Sequence, residues 1–357
     1  MAGRIRIGAC LTILGLGASL LVGAGAHAAP DPTARRETAV MVGPSCVVCA
    51  VTPVATSTDV PWGLVTLPDG SILYTERDRF DIIRIAPNGT RIVVGLVPGT
   101  DGAGGVTGLE ISPTFATDHW LYIFHGTTPD DRIVRVRYVN GRLVVRSVQV
   151  LVKGIARDRF QSGGGRLRFG PDGKLYAGTS DARNGGGAPD RNSLNGKILR
   201  INPDGSIPAD NPYGNAVWST GHHNPQGLAF DAEDRLWATD TGASAMDELN
   251  LIRRRGNYGW PACEGTRGAC ANPAYTAPAR TFPVGEAGGI AVAGGAVWMA
   301  ALRGQRLYRI PPTGPAEEYL VGQYGPLRTV EPAPDGGLWL TTSDKEPNQV
   351  LHVTLGT

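Results

Sequence analysis

Three glycine-rich loops carry the side chains whose types could do chemistry together. Arg157–Gly165 holds Ser162, the stretch from Asp181 to Asn195 passes through Gly185–Gly187, and Gly221–Gly227 holds His222, His223 and Asn224. A hydroxyl, a carboxylate and an imidazole are the groups of a hydrolase-like triad; Ser162, Asp181 and His223 could equally serve as acid and base in a dehydration or cyclisation. They are also ordinary polar residues of solvated loops, so the elements that hold them decide what they can do. Among the cysteines, Cys46, Cys49, Cys263 and Cys270 suit two disulfides, with the local pairs 46–49 and 263–270 permitted by spacing and two other connectivities left open. No His lies at ligand spacing from either pair, which disfavours zinc.

The elements behind these loops are legible as a repeat. Gly63–Arg77 recurs as Gly165–Thr179, as Gly227–Thr239 and as Leu327–Thr341, with weaker copies at Gly108–Phe124 and Gly289–Ala301. Each copy is a short alternating strand, a tight turn of the Pro-Asp-Gly kind and a second strand ending in an aromatic and small residues. Most are followed by a third strand carrying a basic residue, as in Ile83–Ile85, Ile133–Val136, Ile198–Ile201 and Leu307–Ile310. With 50 Gly and 27 Pro in 357 residues, long helices are disfavoured. Six units that cannot bury both faces alone must stack around an axis, so the expected fold is all-β, a six-bladed β-propeller, with chemistry on the loops at one end of its channel.

The amino terminus has the form of an export signal. Arg4 and Arg6 precede an apolar run from Ile7 to about Ala26, and Ala26–Ala28 forms a small-x-small cleavage site. An uncleaved membrane anchor is the alternative. The expected organisation is a signal over residues 1–28, a linker over 29–59 and the propeller over 60–357, in a secreted or extracytoplasmic protein. Lys and Arg number 34 against 32 Asp and Glu, and Arg4 and Arg6 account for the net +2. The remainder is neutral, which excludes binding nucleic acid, or a membrane beyond the export signal, through a basic field.

The run Asn195–Pro212, followed by Gly221–Phe230, Asp247–Ile252 and Gly256–Pro261, resembles the soluble glucose/sorbosone dehydrogenase family over about Pro61 to Val353. That resemblance implies an exported six-bladed propeller that uses pyrroloquinoline quinone and calcium to oxidise aldose sugars, with a sugar or polyol as its small-molecule partner. Carried over residue by residue, Asp181 matches the acid that orients the family's base, and Asn224 matches a cofactor ligand. Arg303 and Arg328 match basic residues facing the cofactor carboxylates, and Gly242 and Ala243 match the loop whose carbonyls hold calcium. Other positions depart. The family's base, a His four residues before the Arg of the third blade's first strand, is Ser162 here, and a serine hydroxyl is too weak a base to act unaided. The family's cofactor Arg is His223, its Gln or Glu in blade two is Ala103, and the first of a pair of blade-six arginines is Pro326.

Three functions are compatible with this mixture. The first is a quinone-dependent sugar dehydrogenase with an altered site and His223 as substitute base. The second is a cofactor-independent hydrolase, lyase or cyclase using Ser162, His223 and Asp181. The third is a non-catalytic ligand-binding propeller. His222 is expected to be structural, with its ring bonded to loop backbone, and Asp247 and Glu248 to stabilise their loop.

Overall fold

The computed structural model describes residues 46–101, 104–157, 164–344 and 346–356. Six four-stranded antiparallel sheets follow one another along the chain. Blade one comprises Pro61–Thr66, Ile72–Glu76, Asp81–Ile85 and Arg91–Leu96. Blade two runs from Val106–Ile111 to the long Arg142–Ile155, and blade three from Gly164–Phe169 to Val217–Ser219. Blade four ends at Arg280–Pro283, blade five at Glu317–Tyr319, and blade six holds Leu327–Pro332, Leu338–Thr342 and Asn348–Leu355. Every repeat copy read from the sequence is the inner hairpin of one blade. Among the described residues no helix is long and apolar enough to cross a membrane.

The fourth strand of blade six comes from the other end of the chain. Val48–Ser57 pairs antiparallel with Asn348–Leu355, from Val48 opposite Leu355 to Ser57 opposite Asn348. This corrects the expected linker over 29–59, of which residues 48–57 are a strand; residues 1–45 lie outside the described residues. Hydrogen bonds to Asn348–Leu355 outweigh the strand's weak pattern, and an outermost strand tolerates Pro53. Both disulfides take the local pairing, Cys46 with Cys49 and Cys263 with Cys270.

Apolar clusters between neighbouring blades explain why a single unit could not fold. Leu73, Ile82 and Val94 of blade one pack with Val106, Leu121 and Val134 of blade two. The pattern continues around the ring, ending with Val350 of blade six among Leu64, Tyr74 and Ile83 of blade one. Inner strands approach so closely that side chains are excluded: a Cβ on Gly63 would lie 2.5 Å from the Thr107 carbonyl. The outer turns follow the expected chemistry, with Gly70 at φ 80°, while in blade four Asp234 takes the left-handed position at φ 60°, a conformation Asp tolerates better than most residues.

Charged side chains cross the axis. Arg166 of blade three donates to the Gln226 carbonyl (3.0 Å) and the Thr329 hydroxyl (2.9 Å), and stacks 4.2 Å over Trp62. Arg168 donates to the Leu228 carbonyl, pairs with Glu331, and lies 3.5 Å from Glu110. One strand of blade three is thereby tied to blades one, two, four and six. Burial pushes the Glu110 carboxyl up from 4.5 to about 7, against the attraction of Arg168. Between those pH values the folded protein holds a proton that the unfolded chain has released, so this group's contribution to stability falls as pH rises through the window. Glu110→Gln removes the titration. The stability difference, wild type minus variant, is expected to decline from about pH 4.5 to 7 in denaturant melts; a pH-independent difference would contradict this.

Candidate active site

Strand register places the site residues named from the sequence at one end of the ring. Pairings such as Pro225 opposite Asp240 and Leu327 opposite Thr342 put the start of each first strand beside the end of each second strand. The tight turns lie at the other end. Asp181, His223, Asn224, Gly242, Arg303 and Arg328 therefore all face the same mouth. Ser162 and Ala103 lie outside the described residues.

Asp181 lies two residues beyond the second strand of blade three, Leu175–Thr179. The next two residues, Ala182 and Arg183, are both left-handed at φ 52° and 58°, a costly turn held by its surroundings. The carboxylate is buried, accepting from Arg183 N–H (2.8 Å) and from the Trp260 indole (2.8 Å). Backbone binds it to the neighbouring loop as well, since Asp181 N–H donates to the His223 carbonyl at 2.8 Å.

His223 leans on Trp260 with ring centroids 4.6 Å apart. Its Nδ1 lies 2.5 Å from the Thr241 backbone carbonyl. A carbonyl only accepts, so Nδ1 carries a hydrogen, and in the neutral tautomer this fixes, the lone pair lies at Nε2. That Nε2 is 4.0 Å from Asp181 Oδ1, and the side chain is 22% exposed. Below the ring, between His223, Asp240, Gly242 and Trp260, about 10 Å³ of space remains, which leaves almost no room for water. The imidazole is packed beneath and open above, with its basic nitrogen beside a buried carboxylate. A nitrogen so placed can accept a proton from a group in the mouth.

A Ser-His-Asp connection lies one residue away, at His222, and is sealed. His222 is fully buried, with Nδ1 3.1 Å from Asp240 and Nε2 2.9 Å from the Ser219 hydroxyl. The expectation of ring bonds to loop backbone is thus corrected to side-chain partners. With no exposure, Ser219 cannot meet a substrate. Asp240 instead fixes the loop, since it also accepts from His223 N–H (3.1 Å) and Asn224 N–H (2.6 Å). The Asn224 carbonyl oxygen accepts from Gly164 N–H and the Gln226 amide.

The Gly242–Ala243 loop is braced from inside. Asp247 accepts from Gly242 N–H (2.8 Å), and Glu264 accepts from Ser244 and Ala245 N–H (both 2.8 Å). Asp247 also holds Ala287 N–H, and Glu248 holds Gly265 N–H, as expected of loop-stabilising acids. Among the described residues no donor approaches the Gly242 or Ala243 carbonyls, and no cluster of three His, Cys, Asp or Glu is placed to hold a metal.

Across the mouth stand the cations. Arg303 is exposed, and its guanidinium lies against Gly285, where a Cβ would come within 3.1 Å of Nε. The Arg328 side chain is 12% exposed; its nearest carboxylate, Asp344, is 3.7 Å away and mostly in solvent. Burial and the neighbouring Arg77 pull Arg328 down to about 10, the mark of a cation short of negative charge.

The family profile described as Glucose / Sorbosone dehydrogenase matches residues 58–352. The chain belongs to this family. It is 34% identical over 246 residues to quinoprotein glucose dehydrogenase B of Acinetobacter calcoaceticus, covering 57% of this chain and 51% of that protein. It is 30% identical over 225 residues to the aldose sugar dehydrogenase YliI of Escherichia coli, covering 57% and 59%. The chain thus matches little more than half the length of these curated relatives. Among solved structures, the quinone-bound aldose sugar dehydrogenase of Streptomyces coelicolor superposes with a TM-score of 0.80 at 40% identity, over 85% of this chain and 97% of that one.

Within this dehydrogenase-family propeller a large cavity lies elsewhere. It measures about 750 Å³ and opens at the opposite end between blades four and five, lined by Phe230, Trp237, Val292 and Pro311. Similar clefts open between blades one and two and between six and one, so they follow from the outward splay of the blades. Sequence reasoning missed Trp260 as a site residue. Its Gly256–Pro261 motif was visible, but nothing in the sequence shows an indole reaching a carboxylate 79 positions away.

Proposed function

We propose that this chain is an exported sugar dehydrogenase in which His223, paired with Asp181, is the base that takes the hydroxyl proton of an aldose or similar polyol. The observation that carries this reading is the His223 geometry: Nδ1 committed to the Thr241 carbonyl, and Nε2 open beside Asp181. In the sequence resemblance the family's base position is Ser162 and its cofactor arginine is His223. An imidazole on the loop bordering Asp181 restores a His–Asp pair from the other side.

The residues present fit a carboxylate-bearing quinone held with calcium. Arg328 and Arg303 would hold its carboxylates, the buried Arg328 being short of negative charge, and the Gly242 and Ala243 carbonyls would offer oxygen ligands to calcium. When bound, pyrroloquinoline quinone would supply the two-electron acceptor for the hydride leaving the sugar carbon. Nε2 of His223 takes the hydroxyl proton, and Asp181 stabilises the imidazolium so formed. Trp260 fixes both partners by donating to Asp181 and packing on the ring, and Asn224 would be a further contact for the cofactor. Disulfides at Cys46–Cys49 and Cys263–Cys270 support an oxidising compartment.

A titration of the purified protein with pyrroloquinoline quinone, with and without calcium, tests the reading. The expected result is saturable binding at micromolar cofactor that calcium strengthens, followed by dye reduction with an aldose. No binding at that concentration removes the quinoprotein reading and leaves the cofactor-independent and ligand-binding alternatives.

A further inference from the structure

Beside the loop that carries Asp181, at the start of the Lys197–Ile201 strand, lies a second buried charge with no part in proton transfer. Lys197 has no solvent exposure, and its ammonium lies 2.7 Å from the Gly187 carbonyl, 2.8 Å from that of Ala188 and 2.6 Å from that of Asn195. Three donors meet three acceptors, so the group is fully satisfied. Its direct partners are all backbone; Asp190 is the carboxylate whose charge reaches it. Burial pulls the ammonium down only to about 8, so at neutral pH it keeps its proton.

Three carbonyl oxygens converging on one point repel each other unless a cation stands between them, and such a set resembles the ligand shell of a hard metal ion. Here a tethered ammonium fills it. The consequence reaches the active site through shared backbone. The Ala188 carbonyl that accepts from Lys197 also accepts Gly221 N–H at 2.9 Å, and His222 N–H donates to Gly196 O at 3.2 Å. Gly196 N–H returns to the Ser180 carbonyl, next to Asp181. We infer that Lys197 is an internal cation that positions the His223–Asp181 pair, locking the Asp181–Asn195 loop to the Gly221–Asn224 loop in the manner of a structural metal ion. It is a positioning residue, and its relevance to catalysis rests on the reading of His223 as the base.

Lys197→Ala opens the cage and allows chemical replacement of the cation. Hydrogen exchange in peptides covering residues 181–196 and 219–224, measured by mass spectrometry, is expected to quicken about tenfold or more. Ammonium or methylammonium chloride is expected to restore protection, while tetramethylammonium chloride at equal ionic strength, too large for the cage, is not. In Lys197→Met an apolar chain fills the space, and added ammonium is expected to change nothing. Unaltered exchange in Lys197→Ala, or a loss that ammonium and tetramethylammonium treat alike, overturns the inference. If the variant folds poorly, its folding yield is compared in the two salts: a higher yield in ammonium is expected, and equal yields overturn the inference. These readouts need neither quinone nor sugar, so their failure is separable from failure of the dehydrogenase reading. If both hold, kcat with an aldose falls in Lys197→Ala and recovers with ammonium.

Discussion

On the proposed reading, replacing His223 by Gln is expected to lower kcat for aldose oxidation by about 10²- to 10⁴-fold, the usual contribution of a positioned general base. The amide keeps a polar side chain of similar length on the loop, but it offers no nitrogen able to take a proton. Quinone affinity is expected to change little, because the carboxylate-facing cations Arg303 and Arg328 are untouched. Asp181→Asn is expected to cost less, about 10- to 100-fold, since its role is to favour the imidazolium from 4.0 Å. The tautomer itself is set by the Thr241 carbonyl at 2.5 Å. Steady-state kinetics of both variants at saturating quinone check this order; a His223→Gln enzyme with unchanged kcat would remove His223 from the chemistry.

Gly108→Ala is expected to destabilise the ring by about 3 kcal/mol or more, at the upper end of overpacking effects. Gly108 lies on the first strand of blade two, where an added Cβ would collide with the Gly165 carbonyl and crowd Leu167 of blade three. The obstacle is backbone, which cannot rotate away as a side chain can. Blades two and three would have to separate at the axis, where Arg166 and Arg168 of the same blade-three strand make their bonds across the ring. Thermal unfolding should show a midpoint lower by about 5 °C or more. An unshifted midpoint would mean that the inner strands have slack the close packing denies.

The propeller was legible because its signal is local and repeated. Pro-Asp-Gly turns, alternating strands and small residues at strand ends recur within segments of about fifteen residues, and each copy became an inner hairpin. Val48–Ser57 escaped because its partner, Asn348–Leu355, lies at the far end of the chain and its own pattern is broken by Pro53. The active-site mouth was legible in part for a related reason. Loops at one end of the blades must converge, so Asp181, His223, Asn224, Arg303 and Arg328 could be grouped from topology and resemblance. What each side chain does depends on a neighbour remote in sequence: Trp260 on Asp181, the Thr241 carbonyl on His223, the Gly187 and Ala188 carbonyls on Lys197. Adjacent His222 and His223 look alike in sequence, yet one is sealed against Ser219 and Asp240 while the other faces the mouth.

The account turns on His223 as the base of a quinone-dependent sugar oxidation, and a single-turnover experiment tests it most directly. Protein loaded with pyrroloquinoline quinone and calcium is mixed with an aldose in a stopped-flow spectrometer, and loss of the oxidised quinone's absorbance is followed in wild type and His223→Gln. Wild type is expected to reduce the quinone on mixing with the sugar, and the variant to bind the same quinone but react at least about 100-fold more slowly. A variant that binds the quinone and matches wild type in rate would contradict the account.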